Sequence, residues 1–133
     1  MSLDRQMLVD DGWSVVEPFR HKTGAAPAVR ISKGGARLYL NLALWQALGR
    51  PAAVKMLWDL ARCRVALEPC DQAERFAYNV RAVDGSPGRE VQFQSVARAL
   101  GLAVERATTV PHELVGFRLI VDLRALRSKG GAA

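Results

Sequence analysis

The sequence predicts a β-rich α+β domain in which two strand–strand–helix–hairpin pseudo-repeats close a shared, barrel-like core, forming an intramolecular pseudo-dimer. Three observations lead to this. Short segments such as Arg37-Leu38-Tyr39-Leu40-Asn41 and Glu90-Val91-Gln92-Phe93-Gln94 alternate polar and apolar residues, the pattern of strands with one buried face. Two short stretches of helical spacing each end on Leu-Gly, at Leu48-Gly49 and Leu100-Gly101. The order strand, glycine-containing turn, strand, short helix, strand, turn, strand also occurs twice, so that Leu38, Leu40, Leu48 and Gly49 correspond to Val91, Phe93, Leu100 and Gly101. One such unit is too small to bury both faces of its sheet and leaves open edges, which a second unit in the same chain covers.

Residues 1–27 read as an N-terminal extension with one strand, Trp13-Ser14-Val15-Val16, closed by Pro18 and followed by a flexible connection from His21 to Pro27. Residues 28–123 form the domain, divided into units 28–69 and 77–123. In the first unit, Ala28 to Ser32 alternates as a strand, Gly34-Gly35 makes a turn, and Arg37 to Asn41 alternates again. Leu42, Trp45 and Leu48 then recur at helical spacing, with Asn41 placed as N-cap and Gly49 as the C′ residue. Ala53 to Trp58 and Cys63 to Glu68 flank Asp59-Leu60-Ala61-Arg62 as a hairpin ended by Pro69. A polar joint, Asp71 to Arg75, leads to the second unit. There Phe76 to Ala82 reads as a strand, Asp84 to Gly88 as a turn, and Glu90 to Gln94 as a strand. Val96, Ala99 and Leu100 make a short helix starting near Gln94 or Ser95, and Ala107 to Val110 with Phe117 to Val121 make a final pair of strands. Residues 124–133 are basic and end in glycine and alanine, the composition of a flexible tail.

With 133 residues, 50% of them hydrophobic and 24% charged, the chain matches one globular domain. A domain of this size buries roughly two-thirds of its unfolded surface and needs neither metal nor disulfide to be stable. Its apolar runs are too short for a membrane span. Asp4, Asp10 and Asp11 make the first residues unlike a signal peptide, so a cytoplasmic protein with two reduced thiols, Cys63 and Cys70, is expected. Charge is unevenly placed. From Pro18 to Trp58 no acidic residue occurs, while Arg20, Lys22, Arg30, Lys33, Arg37, Arg50 and Lys55 supply seven positive charges; the remaining 12 basic and 13 acidic residues nearly cancel. A concentration of this kind attracts polyanions, most often nucleic acid.

The segment from Ala28 to Asn41, followed by Leu44, Leu48-Gly49 and Val54 to Leu57, resembles the AbrB-type swapped-hairpin family, and two such units in one chain resemble the tandem arrangement of the MraZ proteins. The resemblance implies a strand–turn–strand–helix–hairpin fold and bacterial-type DNA binding, as a transcriptional regulator or an antitoxin. Two departures stand out. Asn41 replaces the proline that usually ends the family's second strand, and Trp45-Gln46 occupies the helix where DNA-binding members often carry paired arginines.

The expected binding set is therefore Arg30, Lys33 and Arg37, with Arg20 and Lys22, neutralising DNA phosphates. The bland alternative is a solvated strand face in a basic protein. No cofactor is expected. His21, His112, Cys63 and Cys70 lack zinc-site spacing, so no metal is expected either. Cys63 or Ser95 with His112-Glu113 is the one arrangement resembling a nucleophile and its base. No nucleophile elbow or phosphate loop accompanies it, so an enzyme is not expected. Among the aromatics, Trp45 belongs to the helix's apolar stripe and is expected in the core, and Trp58 is the exposed one. The rival function is a protein-interaction or scaffold module with the same fold and no DNA binding, its partner another protein or a second copy. Three basic side chains on one exposed face favour DNA. Scattering of them, or pairing with Asp59, Glu68 or Glu90, favours the scaffold.

Overall fold

A computed structural model describes residues 26–128 together with two-residue strands at Ser2–Leu3 and Arg5–Gln6. The strand expected at Trp13–Val16 lies outside the described residues. In chain order from Val29, the first half contains β1 (Val29–Ile31), a 3-10 turn (Lys33–Gly35), β2 (Arg37–Leu40), α1 (Leu42–Ala47), β3 (Ala53–Asp59) and β4 (Arg64–Pro69). The second half contains β5 (Ala77–Asn79), β6 (Arg81–Val83), β7 (Ser86–Gln92), α2 (Gln94–Ala99), β8 (Thr108–Val110), β9 (His112–Val115), β10 (Arg118–Asp122) and a 3-10 turn (Arg124–Leu126). The fold is α+β and strand-rich.

These strands form two five-stranded antiparallel sheets, ordered β8-β1-β2-β7-β6 and β9-β10-β4-β3-β5. The two halves meet inside both sheets, since β2 pairs with β7 (Leu38 opposite Val91) and β4 with β10 (Leu67 opposite Leu119). Neither half completes a sheet alone. The chain passes between sheets twice. At Val80, whose N–H donates to Ala52 O at 2.9 Å, β5 of one sheet leads to β6 of the other. At Pro111, which has no N–H to offer a ladder, β8 gives way to β9.

Two expectations change here. The strand expected as one piece from Phe76 to Ala82 is two strands in different sheets, and Phe76 stands outside both with φ +70°. The final pair of strands is not a pair: Thr108–Val110 runs beside β1, and the last strand instead takes His112–Val115 as its hairpin partner. Pro111 causes the switch by interrupting one potential strand.

Alternation builds the core. Val29 and Ile31 of β1, Leu38 and Leu40 of β2, Val65 and Leu67 of β4, Val91 of β7, and Leu119 and Val121 of β10 all point inward. Leu44, Leu48, Val96 and Leu100 of the helices join them in one cluster, among which no polar or charged residue is buried. Each fully buried Leu or Val contributes roughly 1.5–3 kcal/mol relative to exposure, so both halves depend on this shared core.

The helix ends follow the expected chemistry. Asn41 Oδ1 accepts from Leu44 N at 3.1 Å as an N-cap and from Ala28 N at 3.0 Å, while its Nδ2 donates to Ala26 O at 2.8 Å. A proline at this position would make none of these bonds. Gly49 (φ +89°) and Gly101 (φ +69°) take the left-handed C′ conformation that side chains disfavour. The anticipated tail is partly built in: Leu126 is buried, Ala103 N donates to Leu126 O at 2.7 Å, and Ser128 Oγ donates to Gly101 O at 2.9 Å. Residues 129–133 lie outside the described residues. Among the described residues no helix is long and apolar enough to cross a membrane.

Candidate functional site

Inward alternation of the apolar residues in β1, β2 and β7 leaves Arg30, Arg37, Tyr39, Glu90 and Gln92 on the outer face of the first sheet. The register lines them up. Thr109, Arg30, Tyr39, Glu90 and Arg81 are successive cross-strand partners in one row, and Arg37 opposite Gln92 starts the next. Lys33 stands exposed in the turn between β1 and β2. Three expected residues, Arg30, Lys33 and Arg37, thus occupy one face and its rim. Arg20 and Lys22 lie outside the described residues.

Arg81 completes the face, and the sequence reading missed it. That reading placed the polyanion-facing charge in the first half, whereas Arg81 belongs to the second. Alternation put Arg81 on a strand, but only the pairing of β6 with β7 brings it into the row of Arg30.

The row is held from below. Tyr39 Oη lies 2.6 Å from Ser86 Oγ, which also accepts from Gly88 N at 3.2 Å. A side chain at Gly88 has no room, because its Cβ would overlap the Tyr39 phenol and lie 2.7 Å from Leu40 O. The Arg30 guanidinium lies over the Tyr39 ring, 4.9 Å from its centroid, a cation–π contact that still leaves its N–H groups at the surface. Arg37 Nε donates to Glu90 Oε2 at 3.2 Å. Glu90 is the one carboxylate in these two rows, set against Arg30, Arg37 and Arg81 with Lys33 beside them. Arg30, Lys33 and Arg81 have no carboxylate partner among the described residues.

On and around the second sheet five basic residues meet carboxylates, while Arg75 and Arg127 have no carboxylate partner among the described residues. Arg118 donates to Glu68 at 2.6 Å, Lys55 pairs with Glu74 at 3.4 Å, Arg62 and Arg64 both reach Asp59 (2.9 and 3.2 Å), and Arg124 grips Asp122 through two donors. The Arg62 side chain, followed by its backbone N–H, holds the Asp59 carboxyl below the usual range, and the Arg124 side chain does the same for Asp122. The same region exposes apolar surface. Phe76 (74% exposed) and Trp58 (52%) border a 490 Å³ groove that Met56, Leu57, Tyr78 and Val96 also line. Phe117 and Val115 stand beside Leu48 and Gly49 around a second groove. Trp58 is exposed as expected, but Trp45 is not a core residue: half-buried, it donates from Nε1 to Pro51 O at 3.1 Å and lies under the Arg89 guanidinium at 3.9 Å.

Of the nucleophile and metal candidates, His21 lies outside the described residues. Cys63 is buried, its thiol donates to Leu123 O at 3.6 Å, and burial pushes that thiol up. Among the described residues no hydrogen bond joins Cys63, Ser95 and His112. Cys63 and Cys70 bracket β4, about 23 Å apart along the strand, too far to share a metal or a disulfide. What the chain brings together is a sheet face with three arginines, an adjacent lysine and one carboxylate. Comparisons with protein-family models, curated proteins and solved structures find no match.

Proposed function

We propose that the chain is a non-enzymatic, cytoplasmic DNA-binding protein of the swapped-hairpin type, a transcriptional regulator or an antitoxin, with its two halves related by a pseudo-two-fold in a barrel-like core. One observation carries the binding proposal: Arg30, Arg37 and Arg81 share one sheet face with a single carboxylate, Glu90, whereas around the other sheet five basic residues meet four carboxylates. Cations without local partners keep their field for an external polyanion, and each phosphate they neutralise releases a counterion.

The strand order supports the pseudo-two-fold: in one sheet β1-β2 lies against β7-β6 and in the other β3-β4 lies against β10-β9, so each half places two strands in mirrored order on either side of a central pairing. The linking of both sheet edges through Val80 and Pro111 supports the barrel-like description.

Titrating random-sequence duplex DNA across a salt series tests the reading. Binding at about 50 mM salt that weakens steeply as salt rises is the expected result, and undetectable binding there sinks it. The second reading, a protein-interaction module, draws on the Arg37–Glu90 pair and the exposed Phe76–Trp58 groove. Such a module shows no duplex affinity in the same titration.

A further inference from the structure

We infer that Gln92, with Arg37 opposite it, reads base edges in the major groove of a duplex, the Gln92 amide taking adenine, while Arg30 and Arg81 hold phosphates on the two rims. This rests on the DNA-binding reading above and adds a role that phosphate contact alone does not include.

Dimensions decide the arrangement. Arg30 and Arg81 lie in one row on β1 and β6, three strand spacings apart, about 14 Å. The major groove is about 12 Å wide and admits a two-stranded ribbon. The strands between those two arginines are two, β2 and β7. With the flanking arginines on opposite rims, the β2–β7 ribbon faces the groove floor.

In the two basic rows the ribbon's outward side chains are Arg37, Tyr39, Glu90 and Gln92. Tyr39 is committed, its hydroxyl to Ser86 and its ring to Arg30. Glu90 holds Arg37 and is repelled by phosphates. Gln92 is exposed, and its amide makes no hydrogen bond among the described residues. A primary amide offers an acceptor and a donor side by side, the complement of adenine N6 and N7. Arg37 is its direct cross-strand partner, and a guanidinium complements guanine O6 and N7. Opposed residues in a ladder stand about 5 Å apart at Cβ, so the two side chains reach neighbouring base pairs.

The test is selection of bound duplexes from a random-sequence pool, with the wild type and with Gln92→Ala, followed by titration of the selected duplex and of one with a single A·T→G·C change. The wild type is expected to prefer A·T at one position by about tenfold. Gln92→Ala is expected to lose that preference while keeping the salt slope, since the amide carries no charge, and Gln92→Arg to move the preference to G·C. Gln92 is exposed, so these variants keep the fold. If the wild type binds duplex but enriches no sequence, or if Gln92→Ala selects the same sequence, the inference is overturned and phosphate binding stands. If the wild type binds no duplex at all, the DNA-binding reading falls and this inference with it.

Discussion

Replacing Glu90 with Gln should strengthen DNA binding. Glu90 is the one carboxylate in the two basic rows and holds Arg37 Nε at 3.2 Å, so a phosphate approaching Arg37 meets a negative charge already in place. Gln keeps the side chain's shape and removes that charge. A unit charge about 7 Å from a phosphate in water costs about 0.6 kcal/mol. Breaking the half-exposed Arg37–Glu90 pair to form a phosphate contact costs a further amount of about 0.2–1 kcal/mol. Together these give about 1 kcal/mol, or roughly fivefold in affinity at low salt. On random duplex, where no guanine is fixed opposite it, the freed Arg37 takes one more phosphate, so the slope of log K against log salt should steepen by about 0.9. Fluorescence anisotropy of a labelled random duplex, titrated between about 50 and about 200 mM salt, reads both quantities. An unchanged or weaker affinity with an unchanged slope would refute the reasoning and favour the protein-interaction reading, in which Glu90 merely stabilises the surface.

Arg81→Ala should reduce the salt slope by about 0.9, and Arg118→Ala, whose guanidinium is engaged by Glu68, should leave it unchanged; equal effects of the two in the same titration would remove the distinction between the sheets. Gly88→Ala should cost about 1–3 kcal/mol in urea unfolding, because the added methyl meets Leu40 O and the Tyr39 phenol, and a change below about 0.5 kcal/mol would show that β2 and β7 are not so close. Asp59 and Asp122 have folded pKa values below the unfolded value of about 3.9, so their contribution to stability is present above about pH 4 and lost as pH falls through the folded values. The stability gap between wild type and Asp59→Asn should therefore narrow on acidification below about pH 4, and a gap that widens would contradict the Arg62–Asp59 assignment.

Much of the local structure was legible in the chain. Asn41 and Gly49 bracket α1 because a side-chain acceptor and a left-handed residue are local requirements of helix ends. The candidate site was legible only in part. Arg30 and Arg37 were found by charge and strand position, yet nothing near them in sequence reveals that Arg37 meets Glu90, 53 residues away. Trp45 fitted an apolar stripe but is half-buried, its indole N–H bonded to Pro51 O and its ring covered by Arg89. The tail reads as flexible because no local periodicity marks Leu126, which is buried beside the Leu102–Arg127 bridge.

By itself the sequence determined most of the strands, both short helices and where they stop, and the inward side chains of the alternating strands; it missed His112–Val115 and the break at Val80. What it determined follows from periods of 2 and 3.6 residues and from capping chemistry, all acting over a few positions. Only the tertiary structure decided which strands are neighbours: that β2 lies against β7, that Thr108–Val110 joins β1, and that Arg81 falls into line with Arg30. Alternation assigns a side chain to a face and leaves its cross-strand partner open. The partner is set by the register in which the two halves bury Leu38 against Val91 and Leu67 against Leu119, and that register belongs to the whole core.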